Sequence, residues 1–259
     1  MNSDSNWIRT LSPCSSGNWY AEANEDCILD QVFRYISDDN KFAIDIGCGN
    51  GIRGSNVRHL ADSRGWKTTE MDGAPKGGAH PSVHKEWMTP DNIVSLLEKY
   101  ETPKRVDLLS LDIDSMDFYV LHAVLSAGYI ASIIVVEFNP VFRHDQAYTV
   151  RYNAKYRKDS TSNYGASLAA FNNLLKAHGY SLFFVLPSDT QSNNAMFILN
   201  ELLDEDILLP SIEELHPSPW VESWKTKNPK GSSPKGIRNK LINSSFVEVD
   251  ERGNIKEIS

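Results

Sequence analysis

The chain holds only three cysteines, Cys14, Cys27 and Cys48, and none stands in the C-x-x-C spacing of a zinc ligand pair. That excludes a structural zinc of the usual kind and predicts reduced thiols in a cytosolic setting. Long apolar runs are missing too. The longest, Ile130 to Val136, is interrupted by Ser132 and closed by Glu137, well short of the roughly 20 residues of a membrane helix. The first residues lack both the basic start and the apolar stretch of a secretory signal, so neither a membrane span nor a leader is expected. Basic charge is in deficit: 26 Lys and Arg stand against 34 Asp and Glu, a net charge of −8. Wholesale nucleic-acid binding, which needs a basic surface, is therefore not expected.

What is present describes one folded α/β unit. A chain of 259 residues with six Trp, ten Tyr and ten Phe can bury a substantial core. Apolar residues recur at helical spacing over Ile28, Leu29, Val32, Phe33 and Ile36, ahead of a first strand at Phe42 to Ile46. Further strands are predicted at Trp66 to Met71, Val83 to Trp87, Val106 to Leu111 and Ile130 to Val136. Helices alternate with them, one opening at Thr89-Pro90-Asp91 and one at Ser167. Two final strands, Leu182 to Leu186 and Met196 to Leu199, flank a short polar loop and predict an antiparallel hairpin. The expected fold is a Rossmann-like, doubly wound, seven-stranded α/β sheet with a terminal antiparallel hairpin and helices on both faces. It should occupy residues 25–203, with 1–24 and 204–259 as extensions. The second of these is rich in proline and, from Lys225 to Lys240, has six basic residues and no acid, which predicts an appended or partly disordered arm.

Ligands of such a sheet lie beyond the carboxyl ends of its strands. The loop after the first strand reads Asp45-Ile-Gly47-Cys48-Gly49-Asn-Gly51, with glycines where the chain must turn tightly and let a ligand approach its backbone. Asp72 closes the second strand, followed by Gly73, and is placed to accept from both hydroxyls of a ribose. Two carboxylates, Asp45 and Asp72, suit an adenosine that carries an ammonium group and would suit a phosphate badly. A rival reading starts from Gly49-Asn-Gly51-Ile-Arg-Gly54, which also spells G-x-G-x-x-G with an acid at a suitable distance, and points to a nicotinamide oxidoreductase. Asp45 and the terminal hairpin favour the first reading.

These residues resemble the first motif of class I S-adenosylmethionine-dependent methyltransferases, and more specifically the FkbM-type methyltransferases. The resembling pieces are Glu25-Asp26-Cys-Ile-Leu29, Phe42 to Gly51, Ser55-Asn56, Gly65-Trp66, Met71-Asp72-Gly73, Leu109 to Asp114, Val136 to Asn139 and Tyr164 to Ser167. The resemblance implies S-adenosylmethionine as cofactor and O-methylation of a sugar or another small hydroxylated molecule. The expected cofactor-binding residues are Asp45, Gly47, Cys48, Gly49, Gly51, Asp72, Gly73 and Asp112. One departure is visible: many members have an acid followed by Glu-Gly after the fourth strand, where this chain has Asp112-Ile-Asp114-Ser-Met-Asp117.

At the reactive end, Asp112 and Asp114 close the fourth strand while Glu137 and Asn139 close the fifth. Oxygen ligands from neighbouring strand ends suit a hard divalent ion such as Mg²⁺ or Mn²⁺. Asp112, Glu137 and Asn139 are the expected metal ligands, an arrangement similar to that of catechol-type methyltransferases. Asp114 and His144 are the candidate catalytic residues, as general base or as a substrate contact. Arg151, Lys155, Arg157 and Lys158 form a basic run, read either as a solvated face or as a site for an anionic acceptor. Oligomeric state is not legible. A cofactor-binding domain of this fold without catalysis remains the alternative to a methyltransferase.

Overall fold

The computed structural model describes residues 6–14, 19–75, 77–156, 163–186, 193–216 and 234–256, the first five of the last segment as backbone. Arg157, Lys158 and most of the basic stretch beginning at Lys225 lie outside the described residues. The central sheet has seven strands in the order β3-β2-β1-β4-β5-β8-β7. They are β1 (Phe42–Ile46), β2 (Lys67–Asp72), β3 (Val83–Lys85), β4 (Arg105–Leu111), β5 (Ile130–Glu137), β7 (Tyr180–Val185) and β8 (Asn194–Leu199). β1 to β5 pair in parallel, and β8 enters antiparallel between β5 and β7. The expected hairpin is present, but turned inward: its second strand, not its first, joins the parallel strands. All six residues of β8 are buried, whereas the edge strand β7 leaves Ser181 and Phe184 half-buried.

Alternation along the strands divides the core in two. Ile44 and Ile46 of β1, Leu109 and Leu111 of β4 and Ile134 and Val136 of β5 face α3 (Ile93–Lys99), α4 (Asp117–Ser126) and α5 (Leu168–Ala177). Ala43, Leu108, Ile133 and Val135 face the other way, against α1 (Glu25–Val32), α2 (Arg58–Arg64) and the short helical turn Trp7–Thr10. Helices thus cover both faces, as the near-continuous apolar strands require. Ser167 caps α5 as its sequence predicts, its hydroxyl accepting from the Ala170 amide at 3.1 Å. α3 starts later than Thr89-Pro90 suggests. The Asn92 side chain accepts from the Thr89 amide and donates to the Trp87 carbonyl, closing a separate turn ahead of the helix.

The described parts of both extensions pack onto this body. Trp7, Ile8 and Leu11 are buried in the second core layer. At the other end, α6 (Ile212–Leu215) precedes α7 (Pro234–Ser244), and β9 (Phe246–Glu248) pairs antiparallel with β6 (Tyr148–Val150) in a two-stranded sheet. The arm expected after residue 203 is therefore ordered over 234–256, and the polar stretch after β5 contains a strand. The sequence hides this because the partners are far apart along the chain and each strand is only three residues long.

The expectation of three reduced thiols is corrected. Cys14 and Cys27 form a disulfide with Cα atoms 6.1 Å apart, and Cys48 is the free, buried thiol. An odd count is compatible with one pair and one remainder once the first turn of α1 folds back on the segment before it. No helix among the described residues is long and apolar enough to cross a membrane.

Candidate functional site

The sheet's carboxyl edge opens into a cleft of about 340 Å³ lined by Glu22, Gly47, Gly49, Asp72, Gly73, Ala74, Trp87, Met88 and Asp112 to Ser115. Its floor is the glycine loop. Gly47, Gly49 and Gly51 have φ of +89°, +60° and +70°, a region that side chains disfavour. Gly47 is further constrained by contact: a Cβ there would lie 1.6 Å from the Asp112 carbonyl oxygen. The chain leaving β1 can pass this close to the end of β4 only because Gly47 has no side chain.

Seven of the eight amides from Gly47 to Gly54 donate within the protein. Those of Gly47 and Cys48 donate to the Met71 carbonyl, that of Gly51 to the Cys48 carbonyl and that of Gly54 to the Tyr20 carbonyl. The Gly49 amide donates to Asp72 Oδ2 at 3.0 Å, and the Ile52 and Arg53 amides donate to Asn50 Oδ1. At the start of α2, the Val57 and Arg58 amides donate to Ser55 Oγ. These amides are therefore not presented to a phosphate, in contrast to a dinucleotide loop, where they face the ligand.

Asp72 holds two loops at once, since Oδ1 also accepts from the Ala74 amide at 2.7 Å. It lines the cleft beside Gly73, where a Cβ would meet Trp87 Cε3 at 2.6 Å. Asp45, by contrast, is only 3% exposed and does not line the cleft. Its carboxylate accepts from Ser55 Oγ at 3.0 Å, and Ser110, itself receiving a bond from Asn56, supplies another donor. Burial, with the Glu70 charge nearby, pushes Asp45 up to about 7. Beneath the loop, Arg58 binds both oxygens of the fully buried Glu70, at 2.6 and 2.7 Å, and the Gly51 carbonyl. Asp45 and Glu70 thus set the loop's shape from below. Cys48 is buried and surrounded by the charges of Asp45, Glu70 and Asp72, which hold its thiol far above the usual range and make it inert as a nucleophile.

The raised Asp45 value gives a pH dependence with a definite sign. The folded state retains this proton between about pH 4 and 7 while the unfolded chain has lost it, so this group's contribution to stability falls as pH rises through that window. The rise from an ordinary value near 4 to about 7 corresponds to a penalty on the order of 4 kcal/mol, fully present above pH 7. Asp45→Asn keeps the shape without the ionisation. Urea unfolding at pH 5 and pH 8 should show a smaller loss of stability in the variant than in the wild type; parallel losses would place the pH dependence elsewhere.

Asp112, Asp114 and Glu137 come together, each offering an oxygen within 4.8 Å of the others. Asp117, at the start of α4, positions them: its carboxylate accepts from the Ile113 and Ser115 amides, both at 2.8 Å. The turn so formed holds Asp114 at a φ of +55°. Asp112 and Glu137 share a hydrogen bond, and burial together with the charges of Asp114 and Asp117 drives Asp112 well above the usual carboxylate range. Tyr164 stands close enough for Glu137, Asp114 and Asp112 to raise its phenol as well, after burial.

Two further expected residues are Asn139 and His144. Asn139 is 1% exposed; its Nδ2 donates to the Tyr164 carbonyl and its Oδ1 accepts from the Val141 amide. It ties together the two ends of the long loop. His144 lies beside His216, not on the cleft.

Glu22, Trp87 and Met88 were not foreseen. Glu22 comes from the segment before α1, which Asp26 folds across the sheet's edge: the buried Asp26 Oδ2 accepts from the amides of Trp19, Tyr20 and Ala21. Glu25 similarly accepts from the Ala23 amide and receives Asn194 Nδ2. The signal was the pair Glu25-Asp26, which opens α1 and whose carboxylates also bind backbone ahead of the helix. Neither a protein-family model nor a curated protein sequence matches the chain.

Proposed function

We propose that the cleft binds S-adenosylmethionine and that the protein is an O-methyltransferase acting on a hydroxyl of a small molecule or glycan. The observation that carries this reading is the charge of the cleft: Glu22, Asp72, Asp112 and Asp114 line it without a Lys or Arg among the lining residues, over a loop in which seven of the eight amides from Gly47 to Gly54 are internally bonded. Such a cleft favours a cationic, hydroxyl-bearing ligand and opposes a diphosphate. The same observation disfavours the nicotinamide reading. The inserted antiparallel β8 argues against the nicotinamide reading too, since a dinucleotide sheet of order 3-2-1-4-5-6 lacks such a strand.

When bound, the cofactor supplies a methyl group on a sulfonium and leaves as a neutral thioether. Asp72 would accept from the ribose hydroxyls with the lone pairs its two backbone bonds leave over, and Trp87, 43% exposed beside Gly73, offers an apolar face to the base. Asp114, on the cleft wall, would take the acceptor's proton at its carboxylate as the new C–O bond forms. Asp112, Asp114 and Glu137 also suit a hard divalent cation by charge and donor type. Such an ion would lower the acceptor's pKa and fix its oxygen. An acceptor bearing phosphate, such as a nucleotide-linked sugar, is disfavoured by the same charge. The Cys14–Cys27 disulfide suits an oxidising compartment better than the cytosol expected from the sequence.

Incubation with methyl-labelled cofactor and a panel of sugars, amino sugars and catechols, read by mass analysis, tests catalysis. Label in one acceptor class with stoichiometric S-adenosylhomocysteine is expected. Binding of S-adenosylhomocysteine without label in any acceptor would support the silent cofactor-binding domain instead.

A further inference from the structure

The cleft has two chemically different ends, set by strand order. Because β1 lies between β2 and β4, Asp72, Gly73, Trp87 and Met88 fall on one side of the glycine loop, and Asp112 and Asp114 on the other. Glu22 belongs to the second end. Its side chain packs beside Gly54, where a Cβ would lie 3.5 Å from Glu22 Cγ and 3.6 Å from Oε1, and its charge is among those that raise Asp112. The first end offers hydroxyl acceptance and an aromatic face; the second offers carboxylates around bare glycine backbone.

We infer that Glu22, carried over the glycine loop by the segment that Asp26 folds back, is the carboxylate that binds the ammonium group of the cofactor's amino-acid end. The inference rests on the reading of the cleft as an S-adenosylmethionine site and deepens it. Glu22 is suited to this task because it is exposed on the cleft while its backbone is fixed. The Asp26 cradle, the Gly54 amide bond to the Tyr20 carbonyl and the Cys14–Cys27 disulfide all anchor the chain within a few residues of it. A carboxylate held in this way needs little ordering when the ammonium arrives.

Titration calorimetry with two probes separates this role from the rest of the site. S-adenosylhomocysteine carries the ammonium and 5′-methylthioadenosine lacks the whole amino-acid end, while both present the same nucleoside. Glu22→Gln should weaken S-adenosylhomocysteine binding by about tenfold or more, the loss of one charge-assisted bond, and leave methylthioadenosine within about twofold of wild type. The exposed position makes the folded state indifferent to the change, and an unaltered melting temperature without ligand checks this. Unchanged S-adenosylhomocysteine affinity in Glu22→Gln would overturn the inference while sparing the cofactor reading. An equal loss for both probes would overturn it too, by showing that Glu22 acts on the cleft's shape. Failure of wild type to bind either probe would remove the cofactor reading and the inference with it.

Discussion

Gly47→Ala is expected to melt about 10 °C below wild type and to lose measurable binding of S-adenosylhomocysteine. Two costs add at this position. An Ala at φ +89° bears the left-handed penalty of roughly 1–2 kcal/mol, and its methyl would stand 1.6 Å from the Asp112 carbonyl oxygen, so β1 and β4 must separate. Overpacking of this kind adds about 1–3 kcal/mol, and a domain of this size shifts by about 2–4 °C per kcal/mol. Gly65→Ala provides the control. Gly65 has a comparable φ of +69° at the end of α2, but nothing lies within 4 Å of its would-be Cβ, so only the backbone cost applies and ligand binding is retained. Equal melting shifts for the two variants would mean that the approach of Gly47 to Asp112 does not constrain the loop.

The second large effect is expected at the carboxylates. Asp112→Asn and Glu137→Gln should each lower turnover by about 100-fold or more, and Glu137→Gln, which lies off the cleft lining, should leave S-adenosylhomocysteine affinity within about threefold. Stability moves the other way for Asp112: with its pKa held well up by burial and like charges, the folded state strains against ionisation, and the neutral amide relieves that cost at neutral pH. A residue that merely capped a strand end would show the reverse, lost stability with intact turnover. Activity after EDTA treatment, with Mg²⁺ or Mn²⁺ added back, resolves how the three acids act. Loss and recovery support a bound cation. Full turnover in EDTA would sink the metal and leave Asp114 as general base.

Much of the sheet was legible because its strands are apolar runs and its helices carry the 3.6-residue period; β1, β4 and β5 sit within a residue of their expected bounds. The glycine loop and Asp72 were legible for a related reason: a tight turn after a buried strand restricts the residue types that can form it. Side-chain direction at the strand ends was not. Asp112, Asp114, Glu137 and Asn139 all belong to the right edge, yet that Asp114 converges with Asp112 and Glu137 depends on the turn that Asp117 imposes. Asp45 was assigned to the ligand because it precedes the glycines, but alternation along β1 turns it into the opposite layer, under Ser55. Glu22 could not be placed from its surroundings in sequence, since its position is created by backbone bonds to a carboxylate four residues further on. The pairing of β6 with β9 was hidden in the same way, by a partner supplied from another part of the chain.

The central claim is that an acidic cleft over an internally bonded glycine loop is built for a cationic adenosine and not for a dinucleotide. Calorimetric titration of the wild-type protein with S-adenosylhomocysteine and, separately, with NADH tests it directly. Binding of S-adenosylhomocysteine is predicted, with a matching rise in melting temperature equivalent to about 2.7 kcal/mol at a hundredfold excess over Kd, and no detectable heat from NADH over the same range. Tighter binding of NADH, or no binding of S-adenosylhomocysteine, would contradict the account.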